Sequence, residues 1–132
     1  ETLLSQGEIN KAIDEYRNAL NELTQLNLEF DERLRLVLER LSKCYTETKR
    51  YDLAKAVLEL LIDQNVHFKL HGEIAASNLD MAELCFKIGE TASAKKALGK
   101  ATSSIESGAL INEDGEQLQA MKQRLEKMKA AV

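Results

Sequence analysis

Two residue pairs in this chain have types and spacing that invite chemistry. His67 and His71 stand four residues apart, the spacing that puts two imidazoles on one helical face where they could seat a metal ion. The pair straddles a stretch that breaks the helical pattern, and no third ligand stands near it, whereas zinc takes three or four. We read both as surface or packing residues and expect no metal. Cys44 and Cys85 are the two cysteines. Neither has a histidine beside it to draw off a proton, and both fall on apolar helical positions, so buried free thiols are expected and not nucleophiles. Phe30, Phe68 and Phe86 read as connector and core plugs. No glycine-rich phosphate loop follows a strand pattern, and no carboxylate pair has a recognisable catalytic setting. The residue inventory argues against an enzyme and implies no cofactor.

The elements that must position these residues are helical. The chain has 132 residues, 44% hydrophobic and 30% charged, with no proline, where average usage of about 5% would give roughly seven. Without proline, helices run uninterrupted. Few aromatics and many Leu, Ala, Glu and Lys favour helix over sheet. The length suits one domain. A formal charge of −4 argues against a nucleic-acid partner, since such surfaces are basic. No apolar run approaches the ~18 residues of a membrane span, and no signal peptide is visible, so no membrane insertion and a cytoplasmic location are expected. The chain opens at Glu1 without an initiator Met, and we expect it to be a piece of a longer protein.

Apolar steps of three and four mark six helices. The first carries Ile9, Ala12, Ile13, Tyr16, Ala19, Leu20, Leu23 and Leu26. Residues 27–31 break the rhythm. A second helix spans about 32–48, with Leu34, Leu38, Leu41, Cys44 and Tyr45 inward. After a turn at Lys49 and Arg50, a third carries Leu53, Ala54, Val57, Leu58, Leu61 and Ile62. Residues 65–71 read as a connector. The fourth follows Gly72 with Ile74, Ala75, Asn78, Met81, Ala82, Cys85 and Phe86 inward, and Gly89 ends it. Thr91 is the expected N-cap of the fifth, which buries Ala94, Ala97, Leu98, Ala101 and Ile105. Residues 107–111 form the next connector. Asn112 is the expected cap of the sixth, with Glu113 and Asp114 in its first turn and Leu118, Met121, Leu125 and Met128 inward.

One motif recurs along this series. Gly7, Ala12, Tyr16 and Ala19 share a frame with Lys49, Ala54, Leu58 and Leu61, and with Gly89, Ala94, Leu98 and Ala101, at intervals of 42 and 40 residues. A fixed interval in this range marks stacked repeats. The small member lets paired helices approach at the crossing, and the bulky one fills the groove beside it.

Those residues resemble the tetratricopeptide repeat family. The strongest segment runs from Gly7 through Ala12 and Tyr16 to Leu20, followed by Leu41, Tyr45, Tyr51 and Ala54. The interval exceeds the ~34 residues of the ordinary repeat and is similar to the expanded subgroup found in cargo adaptors, polarity scaffolds and bacterial signalling receptors. Asn78-Leu79 within a first helix fits that subgroup. The usual first-helix glycine is Ser42 or Ala82 here, and the usual terminal proline is absent. The resemblance implies an all-α, right-handed superhelical stack of antiparallel helix pairs. Its parts would be a partial repeat over 1–30, repeats over 31–70 and 71–111, and a final or capping helix over 112–132.

In that family the first helices line a concave groove. The resemblance therefore implies a non-enzymatic scaffold that binds a peptide or helix there. The groove positions would be Arg33, Leu36, Glu39, Arg40, Lys43 and Glu47 in one repeat. In the next they would be Glu73, Ala76, Leu79, Asp80, Glu83 and Lys87. A basic stretch (Arg33, Arg40, Lys43) then lies beside an acidic one (Asp80, Glu83). A solvated face with no ligand is the plain alternative. The carboxylate-binding clamp of some members is not implied, because the matching positions carry Glu39, Leu79, Asp80 and Glu83 beside Lys43. Two other readings stay open. One is self-association through the end helices, with Leu3-Leu4 at one end and Leu118, Leu125 and Met128 at the other. The other is a ligand-sensing regulatory domain controlling an attached transcriptional, catalytic or signalling domain. Ala94→Leu should cost about 1–3 kcal/mol by overpacking, read from a urea midpoint, and an unchanged midpoint would refute close helix approach there.

Overall fold

A computed structural model describes residues 3–26, 30–106 and 115–131. It contains six helices, α1 (Leu3–Gln25), α2 (Glu32–Glu47), α3 (Tyr51–His67), α4 (His71–Lys87), α5 (Thr91–Glu106) and α6 (Gly115–Ala131), and no strand among the described residues. The protein is all-α. No described helix is long and apolar enough to cross a membrane. The chain divides into two compact units, Glu1–Gln64 and Asn65–Val132.

In the first unit α1 packs on α2. Ile13 and Leu23 are buried on α1, Leu34, Leu38, Leu41 and Tyr45 on α2, and Ala54, Leu58 and Leu61 on α3. Each buried leucine contributes about 1.5–3 kcal/mol relative to exposure. Asp31 caps α2, its carboxylate accepting the N–H groups of Arg33 and Leu34. The carboxylate thereby satisfies two of the otherwise unpaired N–H groups of the first turn. The backbone N–H of Asp31 donates to Gln64 Oε1 at 3.2 Å, and Arg50 Nη2 donates to Asn10 Oδ1 at 2.9 Å.

In the second unit α4 packs on α5, and α6 packs on both. Ala75, Ala82, Cys85, Ala94 and Ala101 have no exposed surface. Small residues at these points permit the close axis spacing that larger side chains would prevent. Asn65, 1% exposed, donates through Nδ2 to Ser77 Oγ at 3.0 Å, which answers part of the cost of burying an amide.

The helix ends repeat one device. Lys49 (φ 61°), Lys69 (φ 56°) and Gly89 (φ 80°) are the positive-φ residues among those described, twenty apart. At each site the left-handed residue donates its N–H back three positions, Lys49 to Thr46 at 3.1 Å, Lys69 to Val66 at 3.1 Å and Gly89 to Phe86 at 3.2 Å. The next N–H reaches back five, Arg50 to Tyr45 at 2.8 Å, Leu70 to Asn65 at 3.0 Å and Glu90 to Cys85 at 2.8 Å. This pair of bonds is the Schellman motif. The residue after the left-handed one then starts the following helix. Its carbonyl accepts from four positions on, Arg50 from Ala54, Leu70 from Ile74 and Glu90 from Ala94.

Several expectations are corrected. Residues 65–67 belong to α3 and Gly72 to α4, so the connector expected over 65–71 shrinks to three residues, with Asn65 buried by its bond to Ser77. Gly7, matched in sequence to Lys49 and Gly89, lies inside α1. Gly7 is therefore not among the left-handed residues. Thr91 is the first helical residue of α5 and not its cap. Leu53 and Leu26, expected inward, are 50% and 60% exposed. Residues 107–114, including Asn112 with its acidic first turn, and the Asn27 end of the first connector lie outside the described residues, as do the side chains of Leu3 and Leu4.

The left-handed turns make a stability prediction. A Cβ at Gly89 meets nothing within 4 Å, so Gly89→Ala tests backbone conformation alone and should destabilise by about 1 kcal/mol. Lys69→Gly should stabilise by a similar amount, less the entropy glycine adds to the unfolded chain. Opposite shifts of the urea midpoint are expected, and parallel shifts would contradict the left-handed assignment.

Candidate functional site

The residues expected on the groove fall into two sets, one in each unit. On α2, Arg33, Leu36, Arg40, Lys43 and Glu47 are exposed and Glu39 is half-buried. Helical spacing puts Arg33 three before Leu36, Arg40 four after it and Lys43 seven after it, which makes one stripe. Leu36, 36% exposed, is an apolar foothold bordered by cations. Arg33 is tied back to the cap, its Nε 3.1 Å from Asp31 Oδ1. Lys43 Nζ stands 3.5 Å from Glu39 Oε1, a loose contact worth little at an exposed site. Among the described residues Arg40 has no ion-pair partner.

The local pKa values follow from these bonds. The hydrogen bond from the Arg33 side chain, joined by the N–H groups of Arg33 and Leu34, holds the Asp31 carboxyl below its usual value against a smaller effect of burial. The hydrogen bond from Arg35 lowers Glu32 in the same way. Arg35 was missed in the sequence. It is buried, 8% exposed, and its guanidinium pairs with Glu32 and with Glu39. The flanking glutamates at −3 and +4 were the available signal.

On α4, Glu73 and Lys87 are exposed and Ala76 is half-buried. Leu79 is a correction: expected on the groove, it has no exposed surface. Asp80 and Glu83 are brought together, but by an intramolecular cation. Arg124 of α6 donates from Nε to Glu83 Oε1 at 3.1 Å and from Nη2 to Asp80 Oδ1. Burial works against the charge on Arg124, yet the bonds to Glu83 and Asp80 outweigh it and raise the arginine's pKa. One of the two negative charges foreseen on α4 is thus compensated within the chain.

The outward side chains of α6 were also missed. Ala120, Gln123, Arg124 and Lys127 line an open concavity of about 420 Å³. Ala120, Gln123 and Lys127 stand 40 residues after Asp80, Glu83 and Lys87, so extending the repeat interval by one more step would have found them. The apolar stripe of α6 is mostly spent inside the second unit, with Leu125 and Met128 buried and Leu118 and Met121 half-buried.

No family model matches this chain, and neither does any curated protein or solved structure.

Neither cysteine is in a disulfide, Cys85 being buried and Cys44 half-buried. Burial, then the Glu47 carboxylate, pushes the Cys44 thiol up, which disfavours the nucleophilic thiolate. His67 and His71 are exposed on either side of the α3–α4 turn, with His67 edge-on to Phe68 at 5.0 Å between ring centroids. Among the described residues no group of three His, Cys, Asp or Glu could hold a metal ion.

The cap gives a pH prediction. Because folding lowers the pKa of Asp31, its contribution is fully present above the ordinary carboxylate value of about 3.9. That contribution is lost as pH falls through the lowered folded value. Asp31→Asn keeps a capping oxygen but removes the titration. Thermal melts of the wild type should fall below about pH 4 more steeply than those of Asp31→Asn, whereas identical acid limbs would remove the cap from the account.

Proposed function

We propose that the protein is a non-enzymatic recognition module of the tetratricopeptide-repeat kind, an α-solenoid that binds a peptide or helix through its first helices. The observation that carries this reading is the same left-handed turn recurring every twenty residues, at Lys49, Lys69 and Gly89. A twenty-residue helix-turn unit gives a forty-residue helix pair, which agrees with the interval between the small-residue motifs. Repeat arrays of this sort present extended surfaces built from successive equivalent helices.

The ligand chemistry follows from α2. An exposed leucine bordered by Arg33, Arg40 and Lys43 suits a segment that brings an apolar side chain and carboxylates together. Arg40 is the cation with the fewest internal ties. Such a rim confers selectivity and association rate more than raw affinity. The α4 set is less suited to a basic ligand, since Arg124 already holds Asp80 and Glu83.

Peptides selected from a displayed random library, ranked by calorimetry, test the reading. The leading binders should be acidic with an apolar anchor. Arg40→Glu combined with Lys43→Glu should weaken them at least tenfold, about 1.4 kcal/mol, with helicity unchanged. Binding that the double substitution leaves intact would remove α2 from the site.

A further inference from the structure

Two exposed helix faces that the recognition reading does not use are complementary to each other. Leu53 and Leu60 stand seven residues apart on one stripe of α3 and are 50% and 52% exposed. Asp52, Glu59 and Asp63 run beside that stripe, all exposed. Among the described residues none of the three is engaged by a cation of its own chain. An apolar stripe edged by unanswered carboxylates is costly to leave bare and is shaped for a partner helix that is basic along its edge.

The exposed face of α5 has that character. Lys95, Lys96 and Lys100 are exposed and unpaired among the described residues. Between them sits Gly99, exposed in the middle of the helix, where a Cβ would meet nothing within 4 Å. Glycine weakens a helix interior, and the chain's own packing gives no reason for it here. Ser103, four residues on, is also small and exposed. The result is a shallow seat able to admit leucine side chains at close helix approach, with lysines on its margins.

We propose that the α3 face of one copy of this chain docks on the α5 face of a second copy. The charges match in number and sign, three carboxylates against three ammonium groups. Both halves of the complement belong to the same molecule, which favours a second copy over an unrelated basic helix. Because the two faces differ, the contact is heterologous and leaves one of each face open after the first association. Contacts of this kind build either closed rings or open chains. One helix face on each side lies below the roughly 1,200 Å² of stable interfaces, so the association is reversible, and salt weakens it by screening the exposed charges.

Light scattering of the 132-residue chain over a concentration series tests this. The weight-average mass should rise above that of the monomer with concentration, and should fall with added salt. Lys96→Glu with Lys100→Glu, and separately Asp52→Lys with Glu59→Lys, should each be monomeric with unchanged circular dichroism, and mixing the two should restore association. Leu53→Gln with Leu60→Gln leaves every charge in place and should also be monomeric. A wild type that stays monomeric at every concentration overturns the proposal. So does association that survives the leucine substitutions, or reversed variants that fail to combine.

Discussion

Every helix-to-helix connection from α2 to α5 depends on one backbone constraint. A residue must enter the left-handed region so that two N–H groups can turn back onto carbonyls the helix leaves unpaired. At Gly89 this is free of steric cost. At Lys49 and Lys69 a side chain is carried into a conformation that L-residues disfavour, and the two hydrogen bonds at each site hold it there. The device is compact: the C-terminal bonds of one helix and the first acceptor of the next share three residues. That leaves no loop to spare, so each connection fixes the direction in which the chain leaves its helix.

The consequences for packing are clearest in the second unit. A tight turn brings α5 back along α4, and the contact is lined by alanines with no exposed surface. Beside it, the buried amide of Asn65 is half satisfied: Nδ2 donates to Ser77 Oγ, while Oδ1 has no partner. At the margin, Arg124 fastens α6 to α4 through Asp80 and Glu83. Electrostatics thus serves two ends in this chain. On α4 and α6, and for most of α2, it is spent internally, while on α3 and α5 exposed charges stand beside small or apolar positions.

Much of this was legible in the sequence. The six helices, the buried faces of α2 and α5, and the forty-residue interval all follow from apolar spacing. Gly89 was readable as a helix end because glycine advertises the left-handed turn. Lys49 and Lys69 were not, because lysine is a good helix former whose type carries no such signal. The connector over 65–71 was overread for the converse reason: Asn65 looks like a breaker until its burial and its bond to Ser77 are seen. On the candidate site, the exposure of Arg40 and Leu36 agreed with the helical spacing. Leu79 did not, because α4 is buried on several faces and one-stripe reasoning undercounts its contacts. The pairing of Asp80 and Glu83 with Arg124 joins residues more than forty apart, and no local pattern announces it.

One turn repeats every twenty residues, at Lys49, Lys69 and Gly89, and sets the frame of the helices it joins. Amide hydrogen exchange by nuclear magnetic resonance, read together with the backbone couplings at Lys49, Lys69 and Gly89, tests it most directly. Positive-φ couplings are expected at all three, with slowed exchange at the N–H groups of Arg50, Leu70 and Glu90, the donors that reach back five residues. Ordinary helical couplings at Lys49 and Lys69, or unprotected amides at the residues after them, would contradict it.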